Sequence, residues 1–231
     1  MKTVGIVGGI GPESTIAYYR LIIASYREQR RDGSSPSIMI NSIDLKHLLD
    51  LVEANQLALL TEYLVGAVQR LAWAGSDLGL MAANTPHVVF DDVRRRSPIP
   101  LVSIVEATCA AAKTLDMRTL GLFGTRFTMQ GRFYGDVFSK EGITLVIPNR
   151  DEQAYIHDTY MSELVKGIVL RETQERLLAI VDRLIERSGI DGLILGGTEL
   201  SLILRDATAC GVPILDTTEI HAKAAVQRLL S

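Results

Sequence analysis

Strands that alternate with helices along the whole chain, and an order of features that occurs twice, predict an α/β protein. It should consist of two similar three-layer domains with mainly parallel sheets. The repeat rests on three pairs of segments. Thr3 to Gly9 (TVGIVGG) is echoed by Thr119 to Thr125 (TLGLFGT). Asp77 to His87 (DLGLMAANTPH) is echoed by Asp191 to Leu200 (DGLILGGTEL), and Pro100 to Ser103 by Pro213 to Asp216. Aligned this way, Asp77 matches Asp191, Ala83 matches Gly197 and Asn84 matches Thr198. The expected division is residues 1–104 with 214–231 as the first domain and 105–213 as the second. Two such halves would be related by a pseudo-twofold axis with an active-site cleft between them. Gly8-Gly9, Ala83-Asn84-Thr85, Gly124-Thr125 and Gly197-Thr198-Glu199 would line it, because ligands of open α/β sheets bind past the carboxyl ends of the strands.

The elements follow in order. Thr3 to Val7 is apolar and β-branched, as a buried strand requires, and Gly8-Gly9-Ile10-Gly11-Pro12 turns the chain. A helix is expected from Ser14 to about Gln29, with Tyr18, Leu21, Ile22 and Tyr26 on one face. Ser37 to Ser42 is a second strand. Asn55 to Ala74 is a long helix stopped by Gly75. Leu78 to Ala82 is the next strand, followed by a helix around Val88 to Arg96 and a strand from Leu101 to Val105. Ala107 to Leu115 is helical, and the pattern restarts with strand Thr119 to Phe123. A helix from Met129 to Lys140, strand Ile143 to Ile147, and helical regions Glu152 to Val169 and Glu172 to Arg187 follow. Strands Gly192 to Leu195 and Pro213 to Asp216 and a helix Glu219 to Leu230 complete the chain.

The bulk numbers narrow the function classes. The chain has 231 residues, 47% of them hydrophobic, which supports real cores rather than disorder. Its net charge of -3 argues against nucleic acid, which selects basic faces. Arg27, Arg30 and Arg31, and the run Arg94-Arg95-Arg96, read as solvated helix ends. The two cysteines, Cys109 and Cys210, stand far apart in no ligand-like spacing, so neither a disulfide framework nor a metal site is expected. Both read as structural. The N-terminal segment reads as a first strand rather than a signal peptide, no apolar stretch is long enough to span a bilayer, and the cytoplasm is the expected location.

The glycine turn is a weak dinucleotide signal. Ser14 stands where a third glycine would be needed, only Asp44 could serve as the ribose acid, and no Gly-Lys-Ser/Thr follows. Its glycines read first as a tight reversal, and second as a helix start whose N–H groups bind a carboxylate. Thr85, Thr125 and Thr128 each make sense as helix caps. Several such turns brought together by a duplication favour a small anionic ligand. Of the histidines, His47 and His157 have no evident partner. His87 and His221 lie close to the turns.

Five motifs then resemble the aspartate/glutamate racemase family over essentially the whole chain. They are GIVGGIGPEST at Gly5, ANTPH at Ala83, GTRFTM at Gly124, GTEL at Gly197 and DTTEIHA at Asp216. The resemblance implies two α/β domains, no cofactor, a small amino acid or dicarboxylate as ligand, and a homodimer. It also implies two facing cysteines, one thiolate taking the Cα proton and one thiol returning it. Here the two cysteine positions hold Ala83 and Gly197, which cannot move protons, leaving Thr85, His87 and Glu199 as possible substitutes. The same resemblance assigns substrate binding to Gly9, Pro12, Asn84, Thr85, Thr125, Thr128, Thr198 and Lys166. Lys166 reads equally as an exposed lysine near a helix end, and Lys46 or His47 lies near the place of the family's arginine. The favoured function is a racemase-family isomerase with aspartate or glutamate as substrate. A non-racemising isomerase, lyase or decarboxylase of a carboxylic acid follows, and then a catalytically silent binding protein.

Overall fold

The computed structural model describes residues 2–204 and 211–231. Its chain forms two compact units, Met1–Ile104 with Thr218–Ser231, and Val105–Thr217.

The first unit carries β1 (Thr3–Gly8), α1 (Pro12–Gln29), β2 (Ser37–Ser42), α2 (Leu45–Glu53), α3 (Leu57–Trp73), β3 (Leu78–Met81), α4 (Phe90–Arg96) and β4 (Leu101–Val102). Its four strands are parallel in the order β2-β1-β3-β4. Alternate residues of the central strands, Val4, Ile6, Leu78 and Leu80, pack with Tyr18, Ile22 and Tyr26 of α1. The other side of β1 meets α3, where a Cβ on Gly5 would lie 3.2 Å from Leu71 Cβ.

The second unit continues with α5 (Ile104–Thr114), β5 (Thr119–Gly124), α6 (Arg126–Gln130), α7 (Arg132–Phe138), β6 (Thr144–Val146), α8 (Arg150–Ser162), α9 (Arg171–Ser188), β7 (Gly192–Gly196), α10 (Ser201–Leu204) and β8 (Ile214–Asp216). Helix α11 (Thr217–Leu230) closes the chain, and its Ala222, Ala225, Val226 and Leu229 complete the first unit's core beside α1. The second sheet is parallel in the order β6-β5-β7-β8, the same order as the first. Phe123, Leu193 and Leu195 pack on Ile156 and Tyr160 of α8 and on Leu177, Ile180, Val181 and Leu184 of α9.

The matched aspartates do the same job in each unit. Asp77 accepts the Thr3 N–H at 2.6 Å and returns its own N–H to Thr3 O at 2.8 Å. Asp191 accepts the Arg118 N–H at 2.7 Å, lies 3.2 Å from the Thr119 N–H, and gives its own N–H to Thr119 O at 2.8 Å. Each side chain thus pins the first residue of its unit's first strand. We expect Asp191→Ala to cost about 1–2 kcal/mol in urea unfolding, since charged hydrogen bonds to backbone are lost. An unchanged midpoint would show that the bonds contribute nothing net.

Several elements differ from the sequence expectation. Helix α2 was not anticipated. Asp44 caps it by accepting the Lys46 N–H, and Leu48, Leu51 and Val52 are buried. The expected strand Leu101 to Val105 stops at Val102, because the Ile104 N–H is taken by His87 Nε2 at 3.2 Å and α5 begins there. The helix expected from Met129 to Lys140 is broken at Gly131, an extended residue whose Cβ would meet Phe127 O at 2.5 Å. The region Glu152 to Val169 is helical only to Ser162. It starts from a reciprocal capping box between Asn149 and Glu152, and a following 3-10 turn ends at Gly167, φ +72°. The helix around Val88 to Arg96 starts with a 3-10 turn, Thr85–Val89, in which Asn84 rather than Thr85 holds the cap position. The arginine run does sit at a helix end, where Arg94 and Arg95 pair with Asp91 and Asp92 and Arg96 pairs with Glu62. Cys109 is buried in α5, which pushes its thiol pKa up. Cys210 lies outside the described residues.

Candidate active site

Each unit presents polar residues past the carboxyl ends of its central strands. In the first unit the turn after β1 is shaped by backbone geometry. Gly9 has φ +81°, and a Cβ there would lie 2.3 Å from Ile43 O. Its N–H is spent on Thr15 Oγ1 at 2.9 Å, so this amide serves the turn. Pro12 opens α1, where a missing N–H costs nothing.

The turn after β3 is buried. Ala83 is 9% exposed, Asn84 3% and Thr85 9%. His87 clamps it from within. Its Nδ1 lies 3.1 Å from Ala83 O and its Nε2 accepts the Ile104 N–H, which makes Nδ1 the protonated nitrogen. The ring stacks on Phe90 at 4.8 Å. Burial, with His221 as a second cause, pulls this imidazole down to about 3. His221 has the opposite tautomer. Its Nε2 donates to Val102 O at 2.9 Å and its Nδ1 accepts the Tyr18 hydroxyl at 2.8 Å. Burial pulls it down to about 4. The two rings, 6.2 Å apart, are neutral posts that fix the ends of β3 and β4. Both His87 nitrogens are therefore held by backbone groups.

In the second unit Thr125 caps α6, accepting the Thr128 N–H at 3.3 Å, with the two hydroxyls 3.2 Å apart. Thr128 is fully buried, and its methyl group lies 3.0 Å from where a Cβ on Gly124 or Gly196 would be. The turn after β7 is Gly197 followed by the 3-10 turn Thr198–Leu200. Thr198 Oγ1 donates to Glu199 Oε2 at 2.7 Å, and the Tyr160 hydroxyl from α8 donates to the same oxygen. Burial, reinforced by Glu199, keeps the Tyr160 phenol protonated well above its usual range. Thr217 at the end of β8 donates to Leu195 O at 2.7 Å and ties down the end of β7.

The remaining sequence candidates are surface residues. Lys166 is exposed at the end of a 3-10 turn. Lys46 pairs with Asp50 at 2.6 Å, and His47 packs edge-on against Tyr63 at 4.7 Å. Sequence reasoning missed Tyr160 and Tyr18. Tyr160 sits at core spacing with Ile156 and Leu164, and its one sequence signal was the unexplained glycine at 197. Among the described residues no three His, Cys, Asp or Glu side chains are grouped to hold a metal, and no helix is long and apolar enough to cross a membrane.

The Asp/Glu/Hydantoin racemase family model matches residues 7–225, which takes in the turns of both units. The chain belongs to the Asp/Glu/Hydantoin racemase family. Its fold is similar to that of an aspartate racemase homologue from Pyrococcus horikoshii, with 33% identity, all of both chains covered and a TM-score of 0.86. It is also similar to a candidate Asp/Glu racemase from Yersinia pestis, with 32% identity, full coverage of both and a TM-score of 0.91. A broad specificity amino-acid racemase of Bacillus subtilis, RacX, is 23% identical over 99% of this chain and 98% of its own. Membership in the racemase family bears out the resemblance drawn from the five motifs and the α/β fold with two parallel sheets.

Proposed function

We propose that this racemase-family protein is an isomerase that moves the Cα proton of a small amino acid, with aspartate or glutamate preferred, without a cofactor. The observation that carries the reading is that both units end their central strands in small buried polar residues, Asn84 and Thr85 in one, and Thr125, Thr128 and Thr198 in the other. Amide and hydroxyl side chains both accept and donate, so their oxygens suit an amino acid's ammonium and their N–H and O–H groups its α-carboxylate. Donors on the carboxylate also stabilise the charge that develops when Cα loses its proton. Lys166, with an exposed ammonium, is the candidate for the side-chain carboxylate. Family likeness and the aspartate racemase homologue among its relatives support the substrate preference. The same likeness motivates a cytoplasmic homodimer.

The test is incubation of the protein with L-aspartate, L-glutamate and other amino acids in D₂O, read by loss of the Cα–H signal in NMR. Exchange is expected for at least one acidic amino acid. Asn84→Ala should lower it by about 10²-fold, the usual loss on removing one such donor. No deuterium in any amino acid at high protein concentration would sink the reading. A second reading rests on one observation, that Ala83 and Gly197 bring no proton-moving side chain to either turn. On that reading the scaffold runs a different reaction, that of a non-racemising isomerase, lyase or decarboxylase of a carboxylic acid. A metabolite screen would then find a non-amino-acid substrate consumed.

A further inference from the structure

We infer that Tyr160 and Glu199 together carry the proton in the second unit, where Tyr160 fills the place of the side chain that position 197 lacks; this rests on the reading above that a Cα proton is moved. Gly197 has φ -143° and ψ 124°, an ordinary extended backbone that any residue adopts. Conformation therefore does not call for glycine. Space does. A Cβ at 197 would lie 2.5 Å from Tyr160 Cε2, 3.2 Å from Cζ and 3.3 Å from Cδ2. Those atoms belong to the hydroxyl-bearing edge of the ring. The phenol end of Tyr160 thus lies over residue 197, where a longer side chain would otherwise project.

The ring is held there by its neighbours. Tyr160 belongs to the second unit's core with Ile156, Leu164 and Leu200. Its hydroxyl donates to Glu199 Oε2, which also accepts from Thr198 Oγ1 at 2.7 Å. Tyr160, Thr198 and Glu199 are 7%, 9% and 4% exposed. A carboxyl group bonded to a phenol forms a relay, because a proton can enter at one oxygen while another leaves at the next. As a base, the pair breaks the Cα–H bond and leaves its electron pair on the substrate, spread into the α-carboxylate. The phenol oxygen takes that proton as its own O–H proton passes to the Glu199 carboxylate. As an acid, the protonated Glu199 returns a proton to the phenol oxygen while the phenol delivers its own to Cα. The phenol stays neutral in both directions, in keeping with its buried, protonated state.

The experiment compares wild type, Tyr160→Phe, Glu199→Gln and Glu199→Asp in Cα deuterium exchange, using the amino acid that wild type exchanges. Substrate binding is followed by calorimetry and folding by near-UV circular dichroism. Tyr160→Phe and Glu199→Gln should each lower kcat by about 10²-fold or more, the size of a lost acid/base group. KM should change by less than roughly threefold, since binding is not what the pair supplies. Glu199→Asp should recover part of the rate. Tyr160→Phe at the wild-type rate would overturn the inference and leave the proposed function standing. So would a loss that appears in KM or in binding with kcat intact, which is what a merely structural pair would give. If Tyr160→Phe does not fold, the isosteric Glu199→Gln decides by the same criteria. A wild type that exchanges no amino acid would overturn both readings.

Discussion

Gly197→Cys, which puts at this position the residue that the family resemblance implies, is expected to destabilise the protein by about 1–3 kcal/mol, the usual cost of overpacking a filled site. The new Cβ would meet the Tyr160 ring at 2.5 Å, and the contact is with a ring fixed in the core. Relief requires α8 or the ring to move. Moving the ring withdraws the Tyr160 hydroxyl from Glu199 and leaves a buried carboxyl short of a donor, which adds to the cost. The position matched to it behaves differently. Ala83 already carries a Cβ, so Ala83→Cys adds a single sulfur and should cost less. The clean measurement is a double-mutant cycle by urea unfolding. In Gly197→Cys/Tyr160→Ala the clash is gone, so the pair should be less destabilised than the sum of the single changes by about 1 kcal/mol or more. Strict additivity would mean that Tyr160 does not occupy the space at 197.

This dependence marks where the sequence was legible and where it was not. Alternation of strands and helices, and the match of Asp77 with Asp191, pointed to two like sheets, because those signals are local and repeated. The end of β4 was not legible. Its limit is set by the His87 imidazole capturing the Ile104 N–H, a bond between residues 17 apart in the chain. Helix α2 left a readable signal, the Asp44 cap with Leu48, Leu51 and Val52 at helical spacing, which the stronger helix α3 overshadowed. The turns bearing Ala83 and Gly197 were legible as strand ends with small polar neighbours. Tyr160 was not, since a tyrosine spaced with Ile156 and Leu164 reads as core. Only its contact with a distant glycine distinguishes it. A vacancy in a motif is visible in sequence, whereas the residue that fills it from another element is visible only in three dimensions.

Lowering the pH from 7 to about 4.5 is expected to cost roughly 5 kcal/mol of stability through the two buried histidines, a large share of the 5–15 kcal/mol that holds a typical domain together. His87 is pulled down to about 3 and His221 to about 4, each chiefly by burial, against an ordinary 6.5. Above 6.5 both are neutral in the folded and unfolded chains, and their stabilisation is fully present. Below 6.5 the unfolded chain binds protons that the folded chain refuses, so stability falls by about 1.4 kcal/mol per pH unit per histidine. The loss continues until the folded pKa values are reached. Carboxylates held below their usual range, Glu152 among them, act in the same direction but only from about pH 4.5 downward. The interval between 6.5 and 4.5 therefore isolates the histidines. The geometry explains the refusal. A proton on His87 Nε2 would face the Ile104 N–H, and one on His221 Nδ1 would leave the Tyr18 hydroxyl without its acceptor there. His87→Gln/His221→Gln should be less stable at pH 7 yet nearly flat down to pH 4.5, because the titrating rings are gone. Urea midpoints that fall as steeply in the double variant as in wild type would place the acid sensitivity elsewhere. The same proton on His87 Nε2 would release the Ile104 N–H at the start of α5, while the Nδ1–H stays on the Ala83 carbonyl.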